Sequence, residues 1–115
     1  MSELRLRRAE SFLENEIGSL ISGGALKDPR IDSLLTVAGV RVAKDLSSAR
    51  VYISFYGERP QLDGAVAALN GAAGYIQRQI GAHLRMRHTP RLRFLADESL
   101  QKGFDVTQQL KDLAD

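Results

Sequence analysis

One apolar stripe runs through Val66, Leu69, Ala73, Ile76, Ile80 and Leu84 at helical spacing, and Asn70-Gly71-Ala72-Ala73-Gly74 cuts it in the middle. Each glycine inside a helix costs about 1 kcal/mol relative to alanine. Two of them so close together predict a kink or a break into two helices, the second running from about Gly74 to Leu84. Any fold for this chain has to accommodate that bend at its centre.

The flanking elements follow from their periodicities. Leu6, Ala9, Leu13, Ile17 and Leu20 recur every three or four residues, with Phe12 and Ile21 widening the stripe, and predict a helix from about Glu3 to Ser22. Ser2 is its expected cap, and Gly23-Gly24 its expected stop. Lys27-Asp28-Pro29-Arg30 has turn chemistry inside a loop from Ala25 to Ser33. Leu34 to Ala43, rich in Val, reads as a strand in which Gly39 marks a bulge or a crowded spot. In the next strand, Ala49 to Tyr56, Val51, Ile53 and Phe55 alternate with Arg50, Tyr52, Ser54 and Tyr56. The two should pair as an antiparallel hairpin with one covered face. Gly57 to Leu62 reads as a loop, with Asp63 capping the helix that follows. Pro90 precedes a third strand, Arg91 to Leu95, and the rest is expected to be a turn and a weak terminal helix. The order is α-β-β-α-kink-α-β. It describes one α+β domain over residues 1–115, a three-stranded sheet with helices packed on one face, ending in an acidic segment over residues 97–115.

Charge is distributed unevenly. The whole chain of 115 residues carries a net +2. Residues 64–96 hold Arg78, Arg85, Arg87, Arg91 and Arg93 with no Asp or Glu, whereas residues 97–115 are net acidic. Arg5, Arg7 and Arg8 stand in the first turns of the first helix, where cations oppose the helix dipole. Local stability does not ask for them there. Two basic clusters predict a phosphate-bearing partner, with a merely solvated face as the plainer reading.

Several chemistries find no support. There is no cysteine, so disulfide scaffolds, thiol nucleophiles and cysteine-type zinc sites are out. His83 and His88 lack the spacing of a helical metal pair. No nucleophile triad, no carboxylate pair in an apolar setting and no complete phosphate-loop or dinucleotide fingerprint is present. The expectation is a protein that is not an enzyme, with no cofactor and no metal. No run is long and apolar enough for a membrane span, and the amino-terminal pattern is not that of a secretory signal, so a cytoplasmic location is expected.

Gly71-Ala72-Ala73-Gly74 has the Gly-x-x-Gly spacing with which KH domains bring backbone close to an RNA sugar–phosphate. Small residues at that spacing equally suit two helices packing closely, and both readings stay open. The wider pattern is more specific. Leu26-Lys27-Asp28-Pro29-Arg30, Val51-Tyr52-Ile53-Ser54, Leu69-Asn70-Gly71-Ala72-Ala73-Gly74-Tyr75-Ile76, Leu84-Arg85-Met86-Arg87 through Pro90 to Leu92, and Asp97-Glu98-Ser99 with Gly103 occur in this order. Over nearly its whole length the chain resembles the ribosome-binding factor A family.

The resemblance implies a single KH-like (type II) domain in which an Ala-x-Gly kink replaces the KH loop. Ala72-Ala73-Gly74 matches that kink, which makes Gly71 incidental. It implies RNA binding near the 5′-terminal helix of the small-subunit rRNA, with precursor small ribosomal subunits as partners. It also implies support of growth in the cold and release by an assembly GTPase; a monomer is expected. On this reading Arg5, Arg7, Arg8, Arg78, Arg85, Arg87 and Arg91 contact phosphates, while Asn70 and the backbone of Ala72, Ala73 and Gly74 approach a sugar edge. Many relatives have an acidic residue where Arg91 stands. Arg50 and Tyr52 on the open strand face are weaker candidates, Tyr52 as a platform for a base. The alternative is a protein-interaction or regulatory α+β domain whose arginines meet an acidic partner.

Overall fold

The computed structural model describes residues 3–32, 34–83 and 89–97. Its first helix, α1, spans Glu3–Ser22. Leu13, Ile17 and Ile21 are buried on one side of it, four residues apart, and Leu6, Ala9, Phe12 and Leu20 flank them. The helix stops at the two glycines as expected. Gly24 takes a φ of +72°, and the amides of Gly23 and Ala25 donate to the carbonyls of Ser19 and Leu20. This left-handed stop satisfies carbonyls that the helix end would otherwise leave open.

Strand β1 (Thr36–Val42) and strand β2 (Ser48–Ser54) form the expected antiparallel hairpin. β1 starts two residues later than the Val-rich run suggests. Asp32 accounts for this: its Oδ1 accepts the Leu34 amide at 2.8 Å and its carbonyl the Leu35 amide at 3.0 Å, holding that stretch as a turn. The pairing register shifts between Val37 and Gly39. The position is therefore a bulge and not a crowded spot, since a Cβ on Gly39 would meet nothing within 4 Å. At the hairpin end Leu46 has a φ of 62°, while Asp45 Oδ1 accepts the Ser47 amide and hydroxyl at 3.1 and 2.7 Å.

Helix α2 spans Arg59–Gly71 and begins ahead of the expected cap. Asp63 caps nothing; it is paired with Arg59 one turn back, at 2.9 Å. The cap position is Glu58, whose amide donates to Gln61 Oε1 at 3.1 Å. Pro60 lies in the first turn, where its missing N–H is no loss. Helix α3 spans Ala73–Gly81, so the predicted break is present, at Ala72. Strand β3 (Arg91–Ala96) then pairs parallel with β2, giving the strand order β1-β2-β3. No helix is long and apolar enough to cross a membrane, among the described residues.

All three helices lie on one face of the sheet. Val40, Val42, Ala49, Val51, Ile53, Leu92 and Phe94 point into the core from the strands, against Leu13, Ile17, Leu62, Leu69, Ile76 and Ile80. The alternate residues Arg41, Arg50, Arg91 and Arg93 are exposed on the other face. The α-β-β-α-kink-α-β order is the KH-like one.

Candidate nucleic-acid interface

The kink needs no proline. The Ala72 amide donates to both the Ala68 and Leu69 carbonyls, at 3.0 and 3.1 Å, which closes α2. Ala72 itself (φ −95°, ψ 3°) leaves the helical region, and its carbonyl accepts the Ile76 amide at 3.0 Å to start α3. Ala72 and Ala73 are half-buried, Gly74 exposed. A Cβ on Gly74 would lie 3.7 Å from Arg78 Nη1, an ordinary contact. The guanidinium of Arg78 therefore lies back over Gly74, at the kink. The free fold has no steric need for a glycine at this position, and keeps one at a cost in helix stability.

Asn70 has a partner other than the expected one. Its Oδ1 accepts the Phe94 amide at 2.8 Å and its Nδ2 donates to the Phe94 carbonyl at 3.0 Å. One side-chain amide thus stands in for a fourth strand along the outer edge of β3. Gln77, two turns on and across the kink, accepts the Leu92 amide at 3.0 Å. In the free fold the Asn70 side-chain amide is thus engaged with the sheet. Gln77 escaped the sequence reading altogether. The signal available was a poor helix former such as Asn just ahead of the break.

The remaining candidates divide between two surfaces. Arg78 belongs to the helical face. Arg7 lies with Glu10 and Glu14 on the α1 wall of a cleft of about 560 Å³, whose floor includes Gly39, Arg41, Arg50 and Tyr52. Arg91 shares the open sheet face with Arg93. Arg5 and Arg8 are exposed on α1, and Arg5 has a partner. Arg85 and Arg87 lie outside the described residues, as do His88 and the expected terminal helix. His83 Nδ1 stands 3.8 Å from Glu16 Oε2.

Away from these surfaces, the Arg30 guanidinium and amide hold Asp28 in a tight turn, with contacts of 2.8 to 3.1 Å. The hydrogen bonds from Arg30 lower the Asp28 carboxyl to about 2. Hydrogen bonds from Ser47 likewise lower Asp45. Both carboxylates are exposed turn-formers with no tie to either cationic surface.

Comparison with known proteins decides the family. The family profile described as ribosome-binding factor A matches residues 5–110. The chain belongs to the ribosome-binding factor A family. It is 47% identical over 106 residues to the ribosome-binding factor A of Borreliella burgdorferi (strain ZS7), covering 92% of this chain and 88% of that one. It is 37% identical over 113 residues to that of Treponema denticola, covering 98% and 86%. Among solved structures, the crystal structure of ribosome-binding factor A from Thermus thermophilus matches with a TM-score of 0.67 at 36% identity, over 79% of this chain and 94% of that chain. A homology model of the Thermus protein, fitted into a cryo-EM map of a 30S complex, matches with a TM-score of 0.55 at 35% identity, over 76% and 93%. In this family member the Ala-x-Gly triplet Ala72-Ala73-Gly74 falls at the break between α2 and α3.

Proposed function

We propose that this family member is a non-catalytic factor in maturation of the small ribosomal subunit, contacting rRNA near its 5′-terminal helix. The observation that carries the reading is Arg78 lying over Gly74 at the kink, in a chain whose Thermus relative was fitted into a 30S map. Arg7, Arg8, Arg78 and Arg91 are all exposed, and none has an anionic partner among the described residues. Phosphates are the natural complement of cations that the fold does not use. Arg5, Arg85 and Arg87 extend the same basic character. Contacts of this kind position a protein on RNA and carry little sequence information. On this reading the factor acts as a monomer in the cytoplasm, supports growth in the cold, and is released by an assembly GTPase.

The test is co-sedimentation with immature and mature small subunits across a salt series. Preferential binding to immature particles, falling with a log–log slope of about −0.7 to −0.9 per phosphate contact, is the expected result. Arg78→Glu, and separately the pair Arg85→Glu and Arg87→Glu, should abolish it with the fold intact. No sedimentation even at low salt would refute the reading and leave an acidic protein partner in its place.

A further inference from the structure

The sheet register sets three arginines side by side. Arg41 on β1 pairs with Arg50 on β2, and Arg50 pairs with Arg93 on β3. All three are exposed on the face turned away from the core, Arg41 and Arg50 beside the α1 wall of the cleft, and Arg91 stands two residues along β3 from Arg93. Strands lie about 4.8 Å apart, so the row crosses the sheet in about 10 Å. Like charges directly opposite one another destabilise a sheet. Among the described residues no carboxylate is ion-paired with any of the three. Such a row is an electrostatic complement for a polyanion.

The next row is of a different kind. Gly39, Tyr52 and Leu95 are neighbours across the same three strands. Tyr52 is partly exposed, and beside it on the β1 side there is open space, because Gly39 has no side chain and nothing lies within 4 Å of where one would begin. This is the floor of the cleft against α1. The α1 wall carries Glu10 and Glu14 beside Arg7, with Asp97 at the sheet side. Carboxylates there repel phosphate and accept hydrogen bonds from base amino groups.

We infer that the open sheet face is a second RNA surface, which takes a single strand with its backbone across Arg41, Arg50 and Arg93 and a base turned into the cleft against Tyr52. The inference deepens the rRNA-binding reading above and rests on it, but uses a face opposite to the kink. An aromatic ring beside a cationic row is the arrangement by which proteins hold single strands, stacking supplying about tenfold per base and the cations the salt dependence. Duplex RNA offers no unstacked base for the cleft, so single strands are the fitting class.

The test measures binding of fluorescent oligocytidylate to the full chain by anisotropy over a salt series, alongside sedimentation with immature subunits. The triple variant Arg41→Gln, Arg50→Gln, Arg93→Gln should lose at least about tenfold in affinity, with a salt slope shallower by about 2. Tyr52→Ile should lose about tenfold with an unchanged slope, and Tyr52→Phe should bind as the parent does. Circular dichroism verifies that each variant is folded. If the triple variant or Tyr52→Ile binds oligocytidylate as well as the parent, the inference is overturned. It is also overturned if polyglutamate competes as well as oligocytidylate does, since the face is then a general anion surface. A parent chain that sediments with immature subunits while these variants are unaffected leaves the rRNA reading standing and removes this surface. A parent chain that binds neither particle nor oligonucleotide removes both.

Discussion

Replacing Asn70 by alanine separates two roles that one residue could play at the kink. Its side chain makes two hydrogen bonds to Phe94, at 2.8 and 3.0 Å, in a partly buried setting. Each such bond contributes about 1 kcal/mol net. Alanine is the better helix former and gives back about 0.5 kcal/mol. The expected loss is therefore about 1.5 kcal/mol. For a chain of 115 residues that lowers the melting temperature by about 6 °C. The assay is thermal and urea unfolding followed by circular dichroism, with subunit sedimentation run well below the new midpoint. The sheet-closing role predicts lost stability with retained binding. Asn70→Asp should fall between the two, since a carboxylate still accepts the Phe94 amide but repels its carbonyl. An Asn70→Ala chain as stable as the parent and unable to bind would refute the reasoning and return Asn70 to the RNA.

Other expectations are more local. Gly71→Ala should stabilise the fold by about 0.5 to 1 kcal/mol, because a Cβ there meets nothing within 4 Å; unfolding midpoints check it. Arg50→Gln relieves the like-charge contacts with Arg41 and Arg93 and should raise stability by about 0.2 to 1 kcal/mol in low salt, an advantage that disappears in high salt. Asp28 is held at about 2, below the ordinary carboxylate range near 3.9, so its contribution is complete above that range and is lost as pH falls from about 4 toward 2. Asp28→Asn should therefore lower the urea midpoint slightly at pH 7 and converge with the parent near pH 2.

The parts of this fold written in local periodicity were legible. The α1 stripe, the Gly23-Gly24 stop, the alternation in β2 and the break after Asn70 each depend on residues close in sequence. The errors fell where a side chain overrides that pattern. Asp32 holds Leu34 and Leu35 in a turn despite their apolar character. Pro60 looks like loop punctuation, yet it occupies the first turn of α2 behind Glu58 and Gln61. The candidate site could be read from the sequence as a list of cations but not as a surface. Whether Arg41, Arg50 and Arg93 share a row depends on the bulge after Val37 and on the parallel pairing of β3, both long-range facts. One residue of slip would send a strand's arginines to the other face.

The edges of the sheet bear on how a partner can approach it. A three-stranded sheet has two edges, each a row of backbone groups open to strand addition. Here side chains from the helices take part of each row. Glu10 Oε2 accepts the Val42 amide at 2.9 Å at the end of β1, while Asn70 and Gln77 take the amides of Phe94 and Leu92 along β3. The Asn70 amide matches both polar groups of Phe94, as a neighbouring strand would. An incoming peptide would have to displace these contacts before gaining any of its own. An RNA strand on the proposed open-face surface makes no such demand, because cations and an aromatic ring hold a single strand without backbone pairing. The same contacts that close β3 also tie both arms of the kink to the sheet, fixing Gly74 and Arg78 relative to the strands. Loosening Asn70 or Gln77 should therefore cost stability first, and subunit binding only once α3 no longer keeps its place against β3.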